Sequence, residues 1–494
     1  MSLLRVLRDL FRLLKYALAF ALGALVVLLL GDVLYSSGLR ELRPWQTAEL
    51  NNEFHARMAN APRSFADYMA LEERLFAEVK ALERRSFDSR LDAVLSRYNP
   101  AGSVLAQRLT RDWNRSYVLK ADPERAVALL VHGLSDSPYS LRPIALALQA
   151  RGVTVYGLRL PGHGTIPAAL DQARWQDWMA AVQLALDDIR AHHASLPLYY
   201  VGYSSGATLG LKYAADAIEQ GHDERLPKRM FLLSPALGVS PVAMLANLQR
   251  LVTGFGIAQK SRWTNIDLEI DPFKYASFAK NAGAQIYDLT DALAGELQVL
   301  DRSGLAARLP PIMSFQSVVD DTVSADALIV RLYRVLRGGT SELVLFDVNR
   351  LEGLRPFLEF SPQALIDATR RGAHSDYRLT LVTNAGPDTE EVVEKAWPPG
   401  QAASASRAIP YVWPQGIYSL SHLSLPFAPD DPVYGYAAEG PGGRLRTLGN
   451  VELRGERNAL VLSAADRLRL RSNPFHAYLI GRITARVEED LKER

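Results

Sequence analysis

The hydrophobic pattern divides the chain into three kinds of text. From Tyr16 to Gly31 it reads YALAFALGALVVLLLG, without a charge. With Leu13, Leu14 and Val33 to Tyr35 beside it, the run approaches the roughly 20 apolar residues that cross a bilayer as a helix. Lys15 and Asp32 stand at its edges, and a lysine can extend from a helix end to the interface. A cleaved signal peptide needs a small-residue site after the run, for which GDVLYSSG is poor. A buried soluble helix leaves the all-round apolarity unexplained. We therefore expect residues 1–35 to be a short N-terminus with an uncleaved transmembrane anchor. A second pattern follows in 36–124: Leu71, Leu75, Leu82, Leu91 and Leu95 recur at helical spacing, predicting a helix over about 64–97.

From about residue 125 the text becomes strand–helix alternation. AVALLV, VTVYGL, LPLYYVGY and RMFLLS are short continuous apolar runs, with helical patterns over 141–150, 171–190 and 207–218 between them. Such runs predict a mostly parallel sheet covered by helices on both faces. The stretch of about 238–281, with GFG and several aromatic residues, interrupts the alternation where a cap would be inserted. PPIMSFQSVV and SELVLFDV resume the sheet. The text of about 350–415 then turns irregular and reads as a long insertion, with Pro, Gly, Ala and Ser clustered over 398–406. RLRLRS, at 467–472, suggests an edge strand, and a last helix spans about Phe475 to Lys492. Residues 125–494 are thus expected to form one α/β domain with two insertions.

Composition narrows the chemistry. The 494 residues include 48% hydrophobic and 22% charged, as in a globular protein. Lys plus Arg is 56 and Asp plus Glu is 54, so nothing suggests a nucleic-acid partner. The absence of cysteine excludes disulfides, thiolate catalysis and Cys-based metal centres. No H-E-x-x-H occurs, and His192-His193 is not read as a metal pair. Gly254-Phe255-Gly256 lacks the third Gly and the preceding strand of a dinucleotide loop. No cofactor and no metal are expected. Arg5, Arg8, Arg12 and Lys15 precede the apolar run and only Arg40 and Arg43 closely follow it. That bias keeps the N-terminus cytoplasmic and places the large domain outside, in the periplasm of a Gram-negative cell. The expected location is the inner membrane, in a single pass.

One pentapeptide carries a mechanism. Gly202-Tyr203-Ser204-Ser205-Gly206 is G-x-S-x-G, between an apolar strand and a helix. A serine on so sharp a turn stands above the sheet edge, and only Gly tolerates the crowding on either side. His132-Gly133-Leu134-Ser135 follows the strand AVALLV, where such an architecture places one oxyanion donor; the residue after the serine supplies the other. The N–H groups of Leu134 and Ser205 are the candidates, and losing one such donor typically costs about 2.7–4 kcal/mol of barrier. His132 and His163 read as structural. The acid is expected just past SFQSVV, at Asp320 or Asp321, with the spacing to Val323 favouring Asp320. Chain order Ser, acid, His leaves His374, His422 and His476 as bases. His476 lies in a helical pattern and His374 in RRGAHSDY, before a strand; His422, in YSLSHLSLP, suits a buried turn best.

HGLSDSPYSLRPIALAL, LRLPGHGT, GYSSG and SVVDDTV together resemble the α/β-hydrolase superfamily, on the side of its esterase, monoacylglycerol lipase and serine aminopeptidase members. The resemblance covers about 125–325 and the surroundings of His422. It implies a nucleophile at Ser204, a base at His422 and an orienting acid at Asp320, acting through an acyl-enzyme on a small acyl ester or lipid. A thioesterase, peptidase or acyltransferase on the same triad is the alternative, and a non-catalytic binding protein of the same fold is a further one. The N-terminal extension, the long insertion before His422 and the segment from about Tyr434 depart from the family pattern.

Overall fold

The computed structural model describes residues 3–58, 60–83, 95–99, 111–238, 259–357, 376–401, 404–436, 448 and 470–493. The first helix, α1 (Leu3–Ser37), is 35 residues long. The most apolar window within Leu7–Ser37 has mean hydropathy 2.5, and none of that window is buried. By length and composition it can cross a membrane. Helix α2 (Phe65–Glu83) turns Phe65, Tyr68, Leu71, Leu75, Phe76 and Val79 inward at helical spacing; residues 84–94 of the expected longer helix lie outside the described residues.

The sheet begins with β1 (Tyr117–Leu119) and β2 (Ala126–Val131), then helix α3 (Arg142–Gln149), β3 (Val153–Leu158), α4 (Trp175–His193), β4 (Leu198–Tyr203), α5 (Ser205–Glu219) and β5 (Arg229–Leu233). A small hairpin of β6 (Trp263–Asn265) and β7 (Phe278–Ala279) stands apart. Helix α6 (Lys280–Ser303), in a stretch whose pattern assigned nothing, leads back to β8 (Ile312–Ser317) and β9 (Ser341–Phe346). The chain continues through β10 (Tyr377–Asn384), β11 (Glu391–Trp397) and β12 (Ala405–Val412) to the last helix, α7 (His476–Lys492). The ten strands lie in the order β1-β3-β2-β4-β5-β8-β9-β10-β11-β12. From β3 to β10 all pairs are parallel; β1, β11 and β12 are antiparallel at the edges.

Alternation along each strand supplies two cores. Val127, Leu129 and Val131 face α4, α5 and α6, whereas Ala126, Ala128 and Leu130 face α3 and α7. Both faces are covered, so the strands read as unbroken apolar runs.

The irregular text of 350–415 contributes three strands, which widen the sheet. Buried polar groups recruit them. Thr380 on β10 donates to Glu342 on β9 at 2.6 Å, and Arg482 of α7 reaches Glu342 at 2.6 Å and Glu394 on β11 at 3.0 Å. Residues 358–375 of that insertion, 239–258 of the expected cap and Arg467 to Arg469 of the expected edge strand lie outside the described residues.

The N-terminal extension is tied to the sheet by a buried ion triad. Arg159, just after β3 and 1% exposed, pairs with Glu53 at 2.9 Å and Glu72 at 2.8 Å. Tyr68 donates to the Arg159 carbonyl at 2.8 Å. The end of α1 docks on the hairpin region: Tyr35 donates to the Thr264 carbonyl at 3.0 Å, Lys280 pairs with Asp32, and Lys260 reaches the Leu39 carbonyl at 3.1 Å.

Candidate active site

Ser204 occupies the turn between β4 and α5 with φ 53° and ψ −117°, in the left-handed region that costs a non-glycine residue strain. The backbone is held there from three sides. Its N–H donates to Leu233 O at 2.9 Å, and its carbonyl accepts the amides of Ala207 at 3.0 Å and Ala236 at 3.2 Å. The flanking glycines are required by space. A Cβ on Gly202 would lie 2.5 Å from Ala207 Cα, and one on Gly206 only 2.1 Å from Val131 O. Helix α5 therefore starts hard against the end of β2, and the serine stands at the carboxyl edge of the sheet.

The turn after β2 comes to the same place. A Cβ on Gly133 would lie 3.1 Å from the Cβ of Ser204. Leu134 is half-buried in this turn. Ser205 is the first residue of α5, so its N–H has no intrahelical acceptor. Both amides belong to segments that converge on the serine. His132 is fully buried, its Nδ1 2.8 Å from Gly133 O and its Nε2 accepting the Leu160 amide at 3.0 Å. Both ring nitrogens are thus engaged, and burial holds its pKa well below the ordinary value. His163, likewise buried, is pushed down to about 3 by desolvation, and its Nδ1 sits 2.9 Å from Pro161 O.

Asp320 and His422 meet across 102 residues of sequence, with His422 Nδ1 2.9 Å from Asp320 Oδ2. The Asp320 carboxylate is fully occupied. Oδ1 accepts the amides of Thr322 and Val323, each at 2.9 Å, and Oδ2 also accepts Gln316 Nε2 at 3.0 Å. Burial pushes its pKa up, but the bonds from His422 and the two amides outweigh burial and hold it below the ordinary value. Asp321 is exposed. His476 begins α7, buried, and desolvation pushes it down to about 4. His374 lies outside the described residues.

Two residues join this group that the sequence pattern did not single out. Tyr203 stacks on the His422 ring at 5.2 Å between centroids and donates its hydroxyl to the His422 carbonyl at 3.1 Å. Gln316 donates to Asp320; the cue in the sequence is an amide inside a buried strand that carries no charge, IMSFQS. The loop bearing His422 is held by the widened sheet as well. The Asn349 N–H donates to Tyr418 O at 2.7 Å, its Nδ2 to Ile417 O at 3.4 Å, and its Oδ1 accepts Asn384 Nδ2 at 3.0 Å. Asn349 follows β9 and Asn384 ends β10, so the extra strands hold up the approach to the histidine.

Residues 122–272, less than a third of the chain, match the family model described as serine aminopeptidase, S33. The chain carries an α/β-hydrolase domain. A curated relative, the thermostable monoacylglycerol lipase of Bacillus sp. (strain H-257), is 26% identical over 178 residues, which are 35% of this chain and 64% of the lipase. The chain therefore spans a little under two thirds of that relative. Among solved structures, the monoacylglycerol lipase of Paleococcus ferrophilus aligns with TM-score 0.36 and 21% identity, over 47% of this chain and 88% of that one. A carboxyl esterase from Bacillus coagulans aligns with TM-score 0.36 and 11% identity, over 51% and 92%. Helices α1 and α2 and strands β8 to β12 fall outside the family match.

Proposed function

We propose that this protein is a membrane-anchored serine hydrolase that cleaves carboxylic esters through Ser204, His422 and Asp320. The observation that carries the proposal is the 2.9 Å contact of His422 Nδ1 with a buried, fully hydrogen-bonded Asp320. A carboxylate there holds the proton on Nδ1, which leaves the Nε2 lone pair to act as base. Ser204 Oγ then attacks the acyl carbonyl as Nε2 takes its proton. The negative oxygen of the tetrahedral intermediate accepts the N–H groups of Leu134 and Ser205. His422 returns the proton to the leaving alcohol, and a water repeats the sequence on the acyl-enzyme. The substrate class is a small acyl ester or a lipid; the name of the 26% identical relative, a monoacylglycerol lipase, favours an ester, whereas the family model's description names a peptidase.

The anchor is part of the same reading. Helix α1 is exposed along its apolar length, which supports a single span, and the excess of Arg5, Arg8, Arg12 and Lys15 before it over Arg40 and Arg43 after it supports a catalytic domain on the far side of the inner membrane. The test uses the full chain in detergent micelles. Wild type should label with a fluorophosphonate and hydrolyse short nitrophenyl esters, and Ser204→Ala should do neither. Turnover unaffected by that substitution would overturn the proposal. A panel of thioesters, long-chain glycerides and aminoacyl amides then fixes the acyl group and leaving group. Salt and carbonate washes of membranes test the anchor: extraction of the intact chain would refute the span.

A further inference from the structure

The strap from Glu269 to Tyr275 passes directly over the oxyanion turn. Ser135 in that turn has φ 60°, a left-handed conformation that a serine holds only when its surroundings impose it. Two successive strap residues impose it. The Tyr275 N–H donates to Ser135 O at 2.9 Å, and Lys274 Nζ lies 2.7 Å from Oδ2 of Asp136, which is fully buried. Asp136 in turn accepts the Ser137 amide at 2.8 Å and donates its own N–H to Gly133 O at 3.3 Å, closing the turn that contains Leu134. Lys274 reaches the other half of the site too. Its ammonium stands 5.5 Å from the centroids of Tyr203 and Phe427, and the Tyr203 ring is the one stacked on His422.

The strap is itself immobilised. Phe273 stacks face to face on Tyr139 at 3.8 Å. Asp271 accepts the Lys274 amide at 3.0 Å and the Tyr434 hydroxyl at 2.6 Å. The Tyr275 hydroxyl accepts the Thr165 amide at 2.8 Å and donates to Gly162 O at 3.1 Å. The family match ends at residue 272, so Lys274 lies beyond it.

We propose that Lys274 is a positioning residue, whose buried ion pair with Asp136 fixes the Leu134 N–H as an oxyanion donor and whose face contact with Tyr203 steadies the ring against His422. The role rests on the Ser204 mechanism above. It requires that loss of Lys274 weaken the transition state more than the bound substrate, because only the developing oxyanion needs the donor in place.

The test measures kcat and KM per titrated active site, and the affinity for a trifluoromethyl ketone, in full-length Lys274→Met, Lys274→Arg and Ser204→Ala. Lys274→Met should lose about 10–100-fold in kcat, short of the 100–1,000-fold typical of deleting a donor outright. KM should stay within about threefold, and ketone affinity should fall in step with kcat/KM. Lys274→Arg, which restores the ion pair, should recover most of the loss. Wild-type kcat per site and wild-type ketone affinity in Lys274→Met would overturn the proposal, even if the protein were less stable. Should Lys274→Met not fold, Asp136→Asn keeps the acceptor for Ser137 and reads the same quantities. An active Ser204→Ala would instead remove the mechanism on which the role depends, which separates the two failures.

Discussion

Replacing Asp320 by Asn is the sharpest probe of the site, because the four bonds to its carboxylate leave an amide nowhere to turn. Oδ1 accepts two backbone amides and Oδ2 accepts Gln316 Nε2 and His422 Nδ1. With the amide oxygen on the Thr322 and Val323 side, the new NH2 faces two donors. Flipped, it faces two others. The cheaper orientation keeps both backbone bonds and gives up the imidazole. His422 then moves its proton to Nε2 so that Nδ1 can accept, and on the proposed mechanism no lone pair is left to take the Ser204 proton. Replacing the orienting carboxylate by an amide in such triads lowers kcat by about 10⁴. At 1.36 kcal/mol per decade that is about 5.4 kcal/mol of barrier. Burst titration with a nitrophenyl ester, together with circular dichroism to establish folding, checks it. Asp321→Asn, at an exposed position, should stay within about twofold. A folded Asp320→Asn within tenfold of wild type would refute both the assignment of the acid and the tautomer argument.

Three further expectations follow from separate features. Gly206→Ala would place a Cβ 2.1 Å from Val131 O, which must separate α5 from β2 and destabilise by about 3 kcal/mol or more, read as a lower urea midpoint; an unchanged midpoint would contradict the geometry. Glu269, buried in the strap, is pushed up from 4.5 to about 7 by desolvation, against the amides of Ala276 and Ser277. A raised carboxyl pKa contributes stability that is complete below about pH 4.5 and lost as pH rises through about 7, so wild type should weaken relative to Glu269→Gln by up to about 3 kcal/mol between pH 4.5 and 8. A pH-independent difference between the two urea curves would refute it. Asn349→Ala removes the side-chain bonds to Ile417 and Asn384, and should cost about 1–2 kcal/mol of stability and several-fold in kcat; wild-type kinetics would show that the loop bearing His422 holds itself.

The core of the fold is legible wherever burial on both faces erases alternation: AVALLV, VTVYGL, LPLYYVGY, RMFLLS, IMSFQS and SELVLF all become strands. The serine's turn is legible for a steric reason, since each glycine stands where no Cβ fits. Strand β10 shows in the pattern only as the strand after RRGAHSDY, and β11 and β12 escape it, because their polar residues serve the interior or face water. Thr380 and Thr383 spend their hydroxyls on the buried Glu342 and Asp347. Strand β12 is exposed along most of its length and carries Pro410, which an edge strand tolerates. Helix α6 is blurred by Gly283 and Gly295 inside it. The meeting of Asp320 with His422 was available only as chain order, because what brings them together is the loop resting on Asn349. Lys274 left no trace in the sequence: a lone lysine in DPFKY becomes meaningful only when it faces Asp136.

The detour through β10 to β12 also sets a schedule. Tyr203 and His422 are 219 residues apart, which at about 5–20 residues per second is on the order of ten to forty seconds of synthesis. In the course of that interval the residues that hold the serine's elbow, Leu233 and Ala236, and those that hold the oxyanion turn, Lys274 and Tyr275, are made, while the histidine does not yet exist. Closing so long a loop makes the active centre the high-contact-order event of folding, later than the helices and strands around it. On the proposed function, the onset of ester turnover times the arrival of the three added strands. An ellipticity signal, which the first half of the chain already supplies, precedes it.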